Sequence, residues 1–401
     1  MEFLASAAFG FEGLVKRDLQ RLGAEDAKPL PSGGVSFSGD MAMGFRANMW
    51  LRTADRILLV MSRFQALSFE DLFQGVRRIE WESILPADAD VPVKAHCARS
   101  RLMSPSDCQS IVKKAIVERM KAAYDIDWLA QTGQKHEVDV SIHEDTVTIS
   151  LNTSGTALNR RGYRTFNALA PMRETMAAAM ALWSPWRNKL ALYDPCCGSG
   201  TILIEAAYIA LDRAPGLTRE FDMELWPKAP IDEMRAIRLD AQKRFETGKT
   251  RPVSISGSDV DPEVIQLARR HISQAGLDGL IQVSVADIKD VRVSGEGVFL
   301  VNPPYGERLG DLKSARGVAG AVGDMLMRSK GWGMSVMTAD PGFELAMGYR
   351  ADRRRRLYNG RLECEMLTYD ISARRIEAKA SSPSFDREKR THRPGKDGSR
   401  K

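Results

Sequence analysis

The chain has 401 residues, of which 43% are hydrophobic and 27% are charged. These values exclude a wholly disordered chain, a collagen and a disulfide scaffold, and the length predicts two or three domains. No run approaches the roughly 18 apolar residues of a membrane span, and the start lacks the basic residues of a secretory signal. Five cysteines form no disulfide framework, so we expect a cytoplasmic protein without membrane contact.

The net charge of +6 comes from the C-terminal residues 371–401. They hold ten Lys or Arg and four Asp or Glu, and ten minus four equals the whole excess of 58 basic over 52 acidic residues. Their Ser, Gly and Pro content predicts a disordered basic tail at 373–401. Two interpretations stay open, a solubilising tail and an electrostatic tether to polyanions. The rest of the chain is near neutral, so a nucleic-acid surface there must be a local cluster.

Residues 1–158 predict a mixed α+β module. Short apolar or alternating runs predict strands, and apolar residues every three or four positions predict helices. The predicted strands are 3–5, 35–37, 57–60, 91–95, 138–142 and 147–151, the last two as a hairpin. The predicted helices are 11–22, 69–78 and 106–124. No catalytic constellation occurs in this part.

From about Met172 strands alternate with helices, which predicts an α/β domain with a doubly wound parallel sheet. The predicted helices are 172–182, one from Thr201, and 262–275. The predicted strands are 190–194, 253–259, 281–287, 298–302, 334–338 and 357–362. Residues 213–245 interrupt this rhythm as a helical insertion, which we interpret as structural. Ligands of such sheets bind at the carboxyl ends of the strands.

Three successive predicted strands end in aspartate, at Asp194, Asp259 and Asp287. The first runs into a glycine-containing stretch, called the glycine loop below: Asp194, Pro195, Cys196, Cys197, Gly198, Ser199, Gly200 and Thr201. Its glycines let the backbone approach a ligand at the start of a helix. Leu203 at the third glycine position excludes a dinucleotide fingerprint, and no Gly-Lys-Ser/Thr follows to make a P-loop.

Carboxylates repel phosphate and suit a ligand with ribose hydroxyls and positive charge. We therefore expect S-adenosylmethionine as the cofactor, with Asp259 at the ribose, Asp287 at the adenine amino group and Asp194 near the methionine end. Singly, each aspartate is explained as a turn or cap residue; three at consecutive strand ends favour a site. Asp261 is interpreted as the N-cap of the helix from Pro262. The histidines and cysteines show no metal-ligand spacing, and we expect no metal.

The next strand ends in Asn302-Pro303-Pro304-Tyr305. The Asn302 oxygen and the Pro303 carbonyl suit the two N–H groups of one exocyclic amine, which favours a tetrahedral, attacking nitrogen. Tyr305 offers a face on which a flipped base stacks. All four residues are candidate catalytic residues, and Asn302 is also a candidate cofactor contact. The alternative is a rigid Pro-Pro turn without a catalytic role.

With Ile204–Ala207 and Glu307–Gly310, these motifs resemble class I S-adenosylmethionine-dependent methyltransferases of exocyclic amines. More narrowly, the chain resembles THUMP-domain 23S rRNA guanine-N2 methyltransferases, often labelled N6-adenine-specific DNA methylases. The supporting segments are 159–164, 170–174, 214–217 and 357–364. The resemblance covers about residues 3–372, with one methyltransferase half where the long fused members carry two.

The resemblance implies a Rossmann-like catalytic domain at 172–372 and a ferredoxin-like plus THUMP RNA-binding module at 1–158. A junction at 159–171 joins them. Its Arg160, Arg161, Tyr163 and Arg164 suit phosphate contact and base stacking; the alternative is a structural latch between domains. For the basic run 353–356, a solvated strand and a phosphate grip are equal alternatives.

The expected function is methylation of an exocyclic base amine, with guanine N2 preferred, in large-subunit rRNA or an assembly intermediate. An adenine-N6 methylase acting on DNA or RNA is the first alternative, because the Asn-Pro-Pro-Tyr motif does not separate the two amines. A non-enzymatic RNA-binding assembly factor is the second, and the intact Asn302 and Asp194 argue against it. A nicotinamide dehydrogenase is the weakest alternative.

Overall fold

The computed structural model describes residues 1–31, 33–164, 172–187, 189–304, 312–360 and 362–370. The predicted tail, most of the predicted junction and Tyr305 lie outside these residues. Two seven-stranded sheets organise the described part. Within it, every helix is too short or too polar to span a lipid bilayer.

The first sheet has the strand order β2-β3-β1-β4-β7-β6-β5. Its strands are β1 Glu2–Ala7, β2 Lys28–Pro29, β3 Val35–Ser38, β4 Ala54–Gln65, β5 Val93–Ala98, β6 Val138–His143 and β7 Thr146–Asn152. The pairs are antiparallel except β5 with β6. The twelve-residue β4 pairs with β1 over residues 54–59 and with β7 over residues 58–65, with a register shift between Val60 and Ser62 in the second pairing. One continuous sheet therefore carries the whole N-terminal module.

Four helices accompany this sheet: α1 Glu12–Arg21, α2 Met41–Trp50, α3 Phe69–Arg77 and α4 Pro105–Tyr124. Side chains cap three of them, because Asp40, Ser68 and Ser104 each accept a hydrogen bond from a first-turn amide. Such caps satisfy amides that have no partner within the helix. The predicted helices are confirmed as α1, α3 and α4, and α2 was not predicted.

The second sheet has the strand order β10-β9-β8-β11-β12-β14-β13. Its strands are β8 Ala191–Asp194, β9 Ile255–Asp259, β10 Gln282–Val285, β11 Gly297–Val301, β12 Trp332–Thr338, β13 Arg353–Asn359 and β14 Leu362–Tyr369. The first five are parallel, and β14 is antiparallel to both of its neighbours. The single strand predicted at 357–362 is wrong, since Gly360 turns there at φ +67° between β13 and β14.

The described part of this domain contains six α-helices: α5 Glu174–Trp183, α6 Thr201–Ala210, α7 Ile231–Lys249, α8 Pro262–Gln274, α9 Leu312–Arg328 and α10 Phe343–Met347. Alternate β11 residues enter two apolar clusters, Val298 and Leu300 in one, Phe299 and Val301 in the other. Successive strand residues face opposite sides, so both faces of the sheet are covered. This arrangement confirms the predicted doubly wound α/β fold.

The insertion at 213–245 joins the two modules. Its Phe221 ring packs edge-on against Phe45 of α2 at 5.6 Å between centroids, and the Arg244 guanidinium lies 3.9 Å from the Trp50 ring centroid. The Gly216 amide also donates to the Met49 carbonyl at 3.0 Å. Helix α2, absent from the sequence-based prediction, is thus the surface on which the insertion docks.

Candidate active site

The candidate residues lie at the carboxyl edge of the second sheet. In the strand pairing, Asp194 of β8 lies beside Gly257 of β9, and Asp259 lies beside Val285 of β10. On the other side of β8, Phe299 of β11 pairs with Tyr193. Parallel register then sets Asn302 two residues beyond the level of Asp194. The sheet therefore brings the glycine loop and the Asn302 segment to one edge, as such sheets do for their ligands.

Carboxylates and carbonyls hold the glycine loop in shape. Asp194 Oδ1 accepts from the Cys196 amide at 3.0 Å, and Asp259 Oδ2 accepts from the Gly198 amide at 3.0 Å. The Cys197 amide donates to the Ser258 carbonyl at 2.9 Å. Gly198 and Gly200 have φ of +51° and +82°, a region that residues with a Cβ rarely adopt. The two glycines of the motif are therefore required by the backbone.

Asp194 keeps one carboxylate oxygen without a partner. Asp194 is 1% exposed, and its Oδ2 has no hydrogen-bond partner among the described residues. Burial raises the pKa of Asp194 well above its usual value, the Cys196 amide opposes this, and nearby Asp259 adds to it. A buried carboxylate in this state gains from a cationic ligand.

The other acidic residues have distinct positions. Asp259 Oδ1 accepts from the Asp261 amide at 3.1 Å, so both carboxylate oxygens of Asp259 accept hydrogen bonds from backbone amides. Asp261 caps α8 by accepting from the Glu263 amide at 2.8 Å, which confirms its interpretation as an N-cap. Asp287 accepts from the Lys289 amide at 2.9 Å and is half-buried at the strand end. Asp259 and Asp287 thus keep only their remaining lone pairs for a ligand.

Close packing behind the loop involves residues that the sequence did not single out. A Cβ on Gly257 would lie 2.8 Å from the Asp194 carbonyl oxygen and 3.0 Å from Cys197 Cβ. The buried His271 ring places Nδ1 3.1 Å from the Ser199 carbonyl, and burial lowers its pKa. A histidine on the apolar face of the helix predicted at 262–275 was the available signal. His271 therefore packs against the glycine loop at the Ser199 carbonyl.

The cysteines of the loop are packing residues. Cys197 is buried and Cys196 is half-buried. Burial, reinforced by Asp194 and Asp259, raises the pKa of both thiols far above the usual range. A nucleophilic cysteine needs the opposite shift. Among the described residues, no three His, Cys, Asp or Glu side chains converge to hold a metal ion.

The described part of the Asn-Pro-Pro-Tyr element continues β11. Asn302 is half-buried, Pro303 is buried and Pro304 is exposed. The prolines contribute carbonyl oxygens but no N–H donors. This segment therefore offers mainly hydrogen-bond acceptors at the edge of the sheet. The prediction for Tyr305 falls on a residue outside the described part.

The predicted RNA-contact cluster is mostly buried. Arg161 and Tyr163 are each 2% exposed, and both contact Glu205 Oε1 of α6, at 3.5 Å and 3.2 Å. Arg164 pairs with Glu174 of α5, with Nε 2.8 Å from Oε1. We call Arg161, Tyr163, Arg164, Glu174 and Glu205 the junction latch.

These contacts correct the expectation for three of the four residues. Arg161 also donates to the Leu158 carbonyl at 2.6 Å and to the Arg52 carbonyl, so its guanidinium is used within the protein. A side chain enclosed in this way cannot reach an external phosphate, and the latch alternative describes Arg161, Tyr163 and Arg164. Arg160 alone is exposed.

The basic run 353–356 lies on β13 and is paired with acidic side chains. Arg353 Nη2 lies 2.9 Å from Asp370 Oδ1, and Arg356 Nε lies 3.0 Å from Glu363 Oε1. The Arg355 guanidinium lies 4.5 Å from the Trp183 ring centroid. These exposed pairs correspond to the solvated-strand alternative.

Three family models match the chain. Residues 161–368 match the RMKL-like methyltransferase domain, residues 2–58 the RlmL ferredoxin-like domain, and residues 66–152 the THUMP domain. The matches confirm the expected module order and fold class.

Two relatives cover most of the chain. The Bacillus subtilis protein named Putative RNA methyltransferase YpsC is 38% identical over 369 residues, covering 91% of this chain and 95% of that protein. The Ribosomal RNA large subunit methyltransferase K/L of Methylococcus capsulatus is 37% identical over 393 residues, covering 94% of this chain and 52% of that protein. The chain spans about half the length of the K/L relatives.

Two solved structures share the fold over 92% of this chain. A Listeria monocytogenes protein described as a predicted N6-adenine-specific DNA methylase has a TM-score of 0.87 at 39% identity and is covered to 96%. A protein described as a methyltransferase complexed with S-adenosylhomocysteine has a TM-score of 0.86 at 35% identity and is covered to 97%. S-adenosylhomocysteine is the product of methyl transfer, and S-adenosylmethionine is confirmed as the cofactor.

The described residues fit this cofactor. Asp194 offers a buried carboxylate oxygen without a partner, suited to a ligand with a sulfonium and an ammonium group. Gly198 and Gly200, both at positive φ, have no side chains that would keep a ligand from the loop backbone. The acidic strand ends exclude a phosphate ligand at the same place by repulsion.

Proposed function

This chain belongs to the RMKL-like methyltransferase family, and we propose that it methylates an exocyclic amine of a flipped base in large-subunit rRNA, with guanine N2 as the target. The observation that carries the proposal is the position of Asn302 and Pro303, directly after β11 and beside the edge that bears Asp194. The matched THUMP domain and the names of the K/L and YpsC relatives support RNA over DNA.

For the cofactor, we assign Asp259 to the ribose hydroxyls, Asp287 to the adenine amino group and Asp194 to the methionine end. Pro195, Cys196, Gly198, Ser199 and Gly200 would bring the loop backbone against it. When bound, S-adenosylmethionine supplies an electrophilic methyl group. This assignment uses one oxygen of Asp194 that no described residue occupies.

For the base, the Asn302 oxygen and the Pro303 carbonyl would accept hydrogen bonds from the two N–H groups of the target amine. Such an amine is a weak nucleophile, because its lone pair is delocalised into the ring. Fixing both N–H groups favours the tetrahedral nitrogen and aligns it, so acceleration comes from proximity and fixed dipoles. Pro304 stiffens the segment, and Tyr305 would stack on the flipped base.

For the RNA, we assign capture to the N-terminal module and to Arg160. The catalytic module carries little net charge of its own, so binding needs a local basic cluster. The RNA partner would be large-subunit rRNA or an assembly intermediate of it.

Adenine N6 is the second candidate target. The Asn-Pro-Pro-Tyr element suits either amine, and the Listeria relative is described as an adenine-specific DNA methylase. A non-enzymatic assembly factor is the third, and it would not need the intact Asn302 and Asp194.

The test supplies labelled S-adenosylmethionine with unmethylated large-subunit rRNA or with unmethylated DNA, followed by nucleoside analysis. We expect label in N2-methylguanosine from rRNA. Label in N6-methyladenine from either substrate would replace guanine as the target. Strong rRNA binding without label in any nucleoside would favour the assembly factor.

A further inference from the structure

A cavity of about 320 Å³ lies where the first sheet meets the start of the junction and the insertion. Six charged side chains line it, four basic and two acidic: Arg56, Lys94, Lys135, Arg160, Glu137 and Asp222. With every group ionised, four positive and two negative charges leave +2. A concave surface with this excess concentrates anions.

Residues 155–157 line the same cavity. Asn152 Nδ2 donates to the Gly155 carbonyl at 2.9 Å. The Arg219 guanidinium donates to the carbonyls of Thr156, at 2.5 Å, and Ala157, at 3.0 Å. All three carbonyls are therefore occupied, while the three amides donate to no acceptor within the described part of the chain. Loops with successive amides of this kind bind anions.

Two of the basic side chains have N–H donors without an acceptor among the described residues. Arg160 is exposed and forms no ion pair or side-chain hydrogen bond with another described residue. Arg56 Nε is buried and has no hydrogen-bond partner among the described residues. Leaving a buried donor unsatisfied costs about 1–3 kcal/mol, which a bound acceptor would offset.

The two lysines are held by one carboxylate. Lys94 Nζ lies 2.7 Å and Lys135 Nζ 3.4 Å from the same Glu137 oxygen, and Asn152 Nδ2 donates to the other at 3.0 Å. Since an ammonium has three donors, both lysines keep hydrogen bonds for a ligand. Glu137 fixes their positions without cancelling both charges.

We propose that this cavity binds a backbone phosphate of the RNA substrate. A phosphodiester accepts hydrogen bonds from amides and guanidinium groups, as the lining provides, and such contacts set the register of a bound strand. The lining comes from the first sheet and the junction, and Arg219 of the insertion holds the carbonyls of Thr156 and Ala157 in that lining. A phosphate bound there would therefore be fixed to a segment that contacts both modules. The inference rests on the proposed RNA substrate.

The test compares RNA binding by the double variant Arg56→Gln/Arg160→Gln with the wild type across a salt series. Loss of one phosphate contact lowers the slope of log affinity against log salt by about one. We expect this change, a several-fold weaker RNA affinity at low salt, and unchanged S-adenosylmethionine binding by calorimetry. Arg235→Gln, an exposed arginine on α7, is the matched control and should change neither. Arg160→Gln alone serves if the double variant does not fold.

If the wild type binds and methylates rRNA and the variant keeps the wild-type salt slope, the cavity assignment is overturned and the proposed function stands. A wild type that neither binds nor methylates rRNA would contradict both. Titration with inorganic phosphate at constant ionic strength separates the sources of phosphate. Saturable phosphate binding that the variant loses, with an unchanged RNA slope, would make this a free-phosphate site and overturn the RNA assignment.

Discussion

The junction latch and the glycine loop both bury carboxylates, but they treat the charge differently. Glu205 in the latch faces Arg161, which lowers a pKa that burial raises. Asp194 in the glycine loop faces only the Cys196 amide and a second carboxylate. The protein supplies the countercharge in the first case, and in the second we propose that the cofactor would supply it. A buried carboxylate without a cation is therefore our criterion for a candidate ligand contact.

The largest effect is expected when the Arg161 cation is removed from the junction latch, which tests whether buried Glu205 depends on it. Arg161→Met should lower the free energy of unfolding by about 3–5 kcal/mol, because Glu205 is left buried without its partner. Urea unfolding measures the change. Adding Glu205→Leu should recover part of it, and Arg235→Met, at an exposed position, is the control. A loss below about 1 kcal/mol for Arg161→Met would show that the latch carries little energy.

The contrast also explains what the sequence could predict. The sequence could predict that Asp194, Asp259 and Gly198 lie close together, because strand ends and glycines are local signals and a parallel sheet brings its strand ends to one edge. The Arg161–Glu205 pair could not be predicted, because the two residues are 44 positions apart in the sequence. An arginine in a basic run is also typical of an exposed surface. Helix α2 was missed because Met41–Trp50 is apolar on most sides and lacks a one-faced pattern.

At the glycine-loop edge, the largest effect is expected at the amine. Asn302→Ala should slow single-turnover methylation by about 10²–10³-fold, by analogy with the loss of one preorganised hydrogen bond. The binding of S-adenosylmethionine should be nearly unchanged, since Asn302 is assigned mainly to the base. A near-normal rate would make the Asn-Pro-Pro-Tyr element only a rigid turn.

A smaller effect is expected where the cofactor meets Asp259. Asp259→Ala removes a charge-assisted hydrogen bond to the ribose and should weaken binding by about 1.5–3 kcal/mol in calorimetry. Asp261→Ala, two residues away, is the matched control, because that side chain caps α8. It should affect stability and leave affinity alone. Equal affinity losses in both variants would remove Asp259 from the site.

The smallest effect sharpens the assignment of Asp194. Burial raises the pKa of Asp194 in the free protein, whereas a bound cation favours the carboxylate. Binding then releases a proton, and affinity rises with pH, at most tenfold per pH unit, until pH passes the pKa of the free protein. Calorimetry over a pH series should show this rise, and Asp194→Asn should flatten it. A slope that persists in Asp194→Asn would assign the proton to another group.

The order of the second sheet has a consequence for how the chain is made. Strand β14 is the last described strand, yet it lies inside the sheet between β12 and β13. While the polypeptide emerges from a ribosome, β12 pairs with β11 on one side, and its other edge stays open until residues 362–369 have been synthesised. Its seven residues are all buried in the finished domain, so until then the nascent domain carries a strand with one unpaired edge. The first sheet is complete by Asn152, and co-translational chaperones should be needed mainly for the second.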